Sequence, residues 1–156
     1  MRSPCWIACV GALLTGSAAQ AQSAGTSAER ELQPLRQEML LAANAHDTDR
    51  FLASYLHDST LVLVFNGTTV TGYDSVRALQ RKWWNNGRSD VVYSIHGPVH
   101  FTVMSRAAVV VTETLQSQRT DSTGTAKRGE IAVTSVWQKR PEGWRIVAVH
   151  ESAAGR

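Results

Sequence analysis

Beyond Cys9 the 156-residue chain has no cysteine. A domain built from the rest can hold no disulfide, offer no thiol nucleophile and give no thiolate to a metal. The apolar run Trp6–Leu14 is well short of the roughly 20 residues that cross a bilayer. No G-x-S-x-G elbow occurs, which removes the usual signature of a serine hydrolase. His46, His57, His96, His100 and His150 include no H-E-x-x-H. His96 and His100 flank a Gly97-Pro98 break where helical spacing does not apply, so no metal site is expected. A dense basic stripe is missing as well. The formal charge is +3, and the nearest clusters are Arg77, Arg81, Lys82 and Arg88, then Lys139, Arg140 and Arg145. These read as solvated faces rather than a nucleic-acid site. Nothing repeats internally.

The N-terminus has the form of an export signal. Arg2 supplies a positive charge, an apolar run follows, and Ala19-Gln20-Ala21 is a small-x-small cleavage site. Residues 1–21 are therefore read as a signal peptide, 22–28 as a flexible leader and 29–156 as one domain. Cleavage removes both cysteines and lowers the formal charge to +2. The expected location is periplasmic or extracellular, with no membrane contact once the signal is gone. About 135 residues remain, which suits one domain with one core.

Helical and strand periods alternate in a readable order. Leu32, Leu35, Met39, Ala42 and Ala43 recur at helical spacing after the capping box Thr26-Ser27-Ala28-Glu29. Pro34 either kinks that helix or marks its first turn. Asp47 is placed to cap a second helix carrying Phe51, Leu52, Tyr55 and Leu56. Leu61–Phe65 and Thr68–Thr71 flank Asn66-Gly67, the pairing of a type I′ hairpin. Asp74 is expected to cap a third helix with Val76, Leu79 and Trp83, stopped by Asn86-Gly87. Strands then follow at 91–96, 99–104, 107–118, 129–139 and 144–151. The last two flank Arg140-Pro141-Glu142-Gly143, where proline presets φ at the second turn position and glycine suits the last. Two helices, a hairpin, one helix and a meander of long strands point to an α+β fold with a curved antiparallel sheet around the helices.

Particular residues sharpen this outline. Asn44-Ala45-His46-Asp47 at a helix end, Tyr55-Leu56, the strand Leu61–Phe65 with Gly72 after it, and above all Gly143-Trp144-Arg145-Ile146-Val147 with His150-Glu151-Ser152 resemble the nuclear transport factor 2-like superfamily. Within it the chain is similar to the SnoaL-like, ketosteroid-isomerase-like small bacterial proteins. The resemblance covers residues 29–152 and implies a cystatin-like cone with one pocket between the sheet and three helices. Members include isomerases, cyclases, dehydratases, ligand carriers and assembly domains, so the fold alone selects no activity. At the positions matching the isomerase base, tyrosine and acid stand Leu63, Met39 and Ser135, so that mechanism is not implied.

Strand alternation gives faces, and the resemblance says which of them meets the pocket. Ile146, Ala148, His150 and Ser152 share one face of the last strand. Ile131, Val133, Ser135 and Trp137 share one on the strand before it, and Val111, Glu113, Leu115 and Ser117 one on the strand before that. His150 is thereby read as a catalytic base oriented by Glu113, with Ser135 donating to a developing oxyanion. The alternative is that His150 is a satisfied core residue. Tyr55, Trp83 and Trp137 are candidate ligand walls, with Trp84 turned elsewhere and available for an interface. Two functions stay open. One is a pocket for a small, mainly apolar molecule, with cofactor-free proton transfer of isomerase, dehydratase or cyclase type. The other is a non-catalytic binding or assembly module, with a homodimer formed through the outer sheet face as the resemblance implies. No cofactor is expected in either.

Overall fold

The computed structural model of the chain describes residues 16–153, with side chains from residue 27 onward. Most of the segment read as a signal peptide, residues 1–15, lies outside the described residues. Helix α1 spans Gly16–Asn44 and includes Pro34 and residues 22–28, for which the sequence predicts a flexible leader. A short α2, Thr48–Phe51, runs on into a single 3-10 turn, Leu52–Ser54. Strands β1 (Val62–Phe65) and β2 (Thr68–Thr71) form the first hairpin. Helix α3 covers Tyr73–Trp83. Strands β3 (Val92–Ile95), β4 (His100–Ser105), β5 (Ala108–Thr120), β6 (Ala126–Arg140) and β7 (Gly143–Ala153) complete the chain.

Local chemistry accounts for these boundaries. Asp47 accepts from the Arg50 amide at 3.1 Å and caps α2 as expected. Asn66 and Gly67 both take positive φ, 46° and 82°, as a type I′ turn requires. At α3 the expected cap differs from the observed one. Gly72, at φ 83°, occupies the cap position without a side-chain bond, and Asp74 lies inside the first turn, where its charge suits the positive end of the helix.

The sheet runs β2-β1-β7-β6-β5-β3, with β4 also paired to β5. All pairings are antiparallel except β1 with β7, which are parallel. The wholly antiparallel sheet expected from sequence is corrected at that one seam. It arises because the chain returns to β1's side through the helices and the long meander, not through a hairpin. The β5–β6 ladder is the longest and is the spine of the sheet. At the β3 edge the side chain of Asn44, from the end of α1, accepts from the Tyr93 amide at 2.7 Å and donates to the Tyr93 carbonyl at 2.9 Å. A side-chain amide there completes what a neighbouring strand would have supplied.

Helix α1 lies across the concave side of this sheet. Its Glu31 accepts from Lys139 Nζ at 2.6 Å and from Trp144 Nε1 at 2.8 Å, which fastens the helix to the final hairpin. Leu32, Leu52, Leu61, Leu63, Val76, Val109, Val111 and Trp137 are fully or almost fully buried between the layers. Trp84, which sequence reading left free for an interface, is also inside. It is 2% exposed, donates from Nε1 to the Tyr93 hydroxyl at 3.2 Å and meets Phe51 edge-on at 5.1 Å. Because Leu63 is enclosed on all sides, Leu63→Ala should cost about 2–5 kcal/mol, seen as a lower urea midpoint at unchanged slope.

Candidate functional site

One residue in β7 sets the site. Val136 pairs with Ala148, but Trp137 pairs with Ile146, so β7 carries an extra residue at Val147. A bulge of this kind breaks the two-residue alternation and reverses which side chains face inward beyond it. Trp144 and Ile146 point into the cone before the bulge, and Val149 and Glu151 after it. The even-numbered phase expected for 146–152 therefore holds only as far as Ile146.

His150 is the main casualty. It is exposed on the outer face, in a row with Val64, Thr134, Thr112 and His100. Glu113 faces the inside, two strands away in the register Glu113–Val133–Glu151. The two lie on opposite sides of the sheet, so Glu113 cannot orient His150. Ser135 does line the interior, but its hydroxyl accepts from Trp137 Nε1 at 2.9 Å and is directed at the Val111 carbonyl at 3.5 Å. It is occupied within the wall and not held ready as an oxyanion donor. Trp83 packs on Phe65 at 4.8 Å between ring centres and is not part of the hollow's lining. Tyr55 and Trp137 do line it.

The hollow lies between α1 and the concave face of β5, β6 and β7. Its walls include Met39, Phe51, Leu115, Val133, Ile146 and Val149, with Ile95 at the rim. It gives about 70 Å³ to the centres of water-sized molecules, space for on the order of five waters at ~10–15 Å³ each.

Besides Ser135, four polar side chains reach this apolar space: Arg36, Glu113, Tyr55 and Glu151. Arg36, 6% exposed, projects from α1. It is ion-paired to Glu113 Oε2, bonded to Gln33 at 2.7 Å and set 5.4 Å from the centre of the Phe101 ring. Its Nε is buried without an acceptor among the described residues. Tyr55 is held at the end of the 3-10 turn by a bridge to Ile146 and by the Leu56 amide donating to the Ile146 carbonyl at 2.9 Å. Its phenol has no hydrogen-bond partner among the described residues. Burial, with smaller contributions from the Glu151 and Glu113 charges, keeps it protonated far above the ordinary tyrosine range. Glu151 likewise has no side-chain partner among the described residues. Its carboxyl opens onto the hollow, and desolvation pushes its pKa up to about 7.

Sequence reasoning missed Arg36, Glu151 and Phe51. Arg36 left a trace: it stands four residues after Leu32 on the apolar face of α1, a charge where the pattern called for a core residue. Glu151 left none, because the run Ile146–Val149 is apolar at every position and hides the change of phase.

The chain matches the family described as the calcium/calmodulin dependent protein kinase II association domain over residues 28–155. No curated protein matches it in sequence. Solved structures with the same fold include the association domain of CaMKII from C. elegans, at 19% identity over 83% of this chain and 98% of that one with a TM-score of 0.68. A ketosteroid isomerase-like protein from Erwinia carotovora is 18% identical over 81% and 96%, with a TM-score of 0.65. An NTF2-like protein with a cystatin-like fold from Novosphingobium aromaticivorans is 19% identical over 92% and 91%, with a TM-score of 0.69. The expected cystatin-like, nuclear transport factor 2-like fold is thus shown. Identities this low carry the fold and nothing finer.

The Glu151 carboxyl gives a stability signature with a definite sign. It ionises near 4.5 in the unfolded chain and near 7 in the folded one. Between those values the unfolded state has already released a proton that the folded state keeps, so stability falls as pH rises through this window and levels off above it. The full loss is on the order of 3 kcal/mol. Glu151→Gln should remove that slope, so its advantage over wild type in urea midpoint should be larger at about pH 8 than at about pH 5.

Proposed function

We propose that the chain, which belongs to the calcium/calmodulin dependent protein kinase II association domain family, holds a small, mainly apolar molecule in its cone and that Glu151 exchanges a proton with it. The carrying observation is the unpartnered Glu151 carboxyl at the wall of an apolar hollow. A carboxyl that ionises near neutrality can take or give a proton at little cost, which is what general acid–base work asks of it. Tyr55, protonated and without a partner, is the donor available to a polar atom of the bound molecule. Glu113 is neutralised by Arg36 and sets the polarity of the neighbouring wall. The chemistry needs no cofactor. Export to the periplasm or beyond is part of the same proposal, supported by Arg2, the apolar run after it and Ala19-Gln20-Ala21.

The test begins with native mass spectrometry of protein from its own cell, which should reveal a retained molecule of few non-hydrogen atoms. Returned to the protein in deuterium oxide, that molecule should gain deuterium at carbon with wild type and not with Glu151→Gln. Retention without exchange in either protein would make the chain a carrier and remove the catalytic half of the proposal.

A second reading, assembly, is favoured by the association domain family itself and by the outer face of the sheet. Val62, Ala148, Val136 and Val110 stand side by side across β1, β7, β6 and β5, all half-buried. This apolar ladder suits a second copy of the chain meeting face to face. Light scattering should give a dimer mass for wild type and a monomer mass for Val136→Lys, whose charge would be trapped in such an interface. A monomeric wild type would end the reading.

A further inference from the structure

The polar groups facing the hollow are unequally divided between acceptors and donors. Glu151 presents two unpartnered carboxyl oxygens, and Glu113 keeps Oε1 free beyond its pairing with Arg36. On the donor side, Gln33 and Glu113 engage the ends of the Arg36 guanidinium, whose Nε is sealed from the hollow. Ser135 is taken up by Trp137 and Val111. The Tyr55 hydroxyl, 2% exposed as a residue and without a partner among the described residues, is an uncharged donor still open beside the second N–H groups of Arg36 Nη1 and Nη2, and it accepts as well. Charge points the same way. Arg36 and Glu113 cancel, so an ionised Glu151 leaves one negative charge in an apolar space, at a desolvation cost that an opposite charge in the ligand would offset.

We infer that the molecule held in the cone carries a cationic nitrogen, an ammonium group on a short apolar chain, with the nitrogen seated on Glu151 and Tyr55 and the chain against Phe51, Val133 and Val149. The inference rests on the reading that the hollow holds a small molecule, and it names the class. An anionic ligand would bring a second negative charge beside Glu151. A neutral one would leave the charge of an ionised Glu151 uncompensated. The hollow's size limits the ligand to about five non-hydrogen atoms unless the walls yield.

Three probes of nearly equal shape separate the alternatives: isobutylamine, isobutanol and isobutyrate, each titrated into the full folded chain by calorimetry at about pH 6 and about pH 8. The titratable or charged groups near Glu151 are Tyr55, Glu113 with its Arg36, and Tyr93 from β3. Both tyrosines are raised above their ordinary range, chiefly by burial, and stay protonated. Glu151 therefore changes charge over this interval while the alkylammonium, near pKa ~10, does not. Isobutylamine should bind about tenfold more tightly at the higher pH, following the ionised fraction of Glu151, and more tightly there than either other probe. Glu151→Gln should abolish both the preference and the pH dependence while still admitting isobutanol. Tyr55→Phe should weaken the amine several-fold without altering its pH dependence. If Glu151→Gln does not fold, the wild-type pH dependence and Tyr55→Phe decide the matter.

Isobutanol or isobutyrate binding as tightly as the amine at the higher pH, or an amine affinity indifferent to pH, would overturn the inference and leave the pocket reading intact. Failure of all three probes to bind would overturn the pocket reading and this inference with it.

Discussion

Inserting Val147 between two stretches of regular β7–β6 pairing turns the last strand about its own axis relative to the two-residue rhythm, and the contents of the cone follow from that turn. Before it, Trp144 and Ile146 close the inner end of the core. After it, Val149 and Glu151 face inward and His150 faces out. The bulge sits where Tyr55 bridges to Ile146 and Leu56 takes the Ile146 carbonyl, so the segment after α2 is bound to the strand at the place where the strand departs from regularity. Bulges cluster beside functional sites because they re-aim side chains without changing the sheet's course. Here the result is a carboxyl in an apolar hollow, a position that folding alone would not favour.

Most of the fold could be read from local chemistry. Asn66-Gly67, Asp47 and Pro141-Glu142-Gly143 each signal one backbone solution, and each solution occurs. The strand order could not be read in the same way. The parallel seam of β1 with β7 joins residues more than eighty positions apart and leaves no local mark. The site divides likewise. Glu113, Ser135 and Trp137 were placed correctly because β5 and β6 keep a clean period through them. His150 was misplaced because the apolar run 146–149 has no polar alternate to register a change of phase, and because a glutamate is cheaper to imagine in water than inside a cone.

Arg36 and Glu113 show how the interior tolerates charge. An ion pair removed from water recovers its desolvation cost only when its remaining donors and acceptors are occupied. Gln33 and the face of Phe101 do part of that, while the buried Nε goes without. Glu151 has no such escort, and its carboxyl answers by holding its proton to about 7. The two glutamates, each one strand from Val133 and on opposite sides of it, therefore behave as different chemical groups although they share one wall.

The pairing of Asn44 with Tyr93 bears on how copies of this chain can meet. A bare strand margin invites another strand, and each addition exposes a fresh margin, so growth along a sheet has no natural end. With the amide of Asn44 occupying both main-chain groups of Tyr93, that route to fibre-like stacking is blunted at β3. Association is steered toward broad surfaces, where symmetry closes and the count of subunits stays finite.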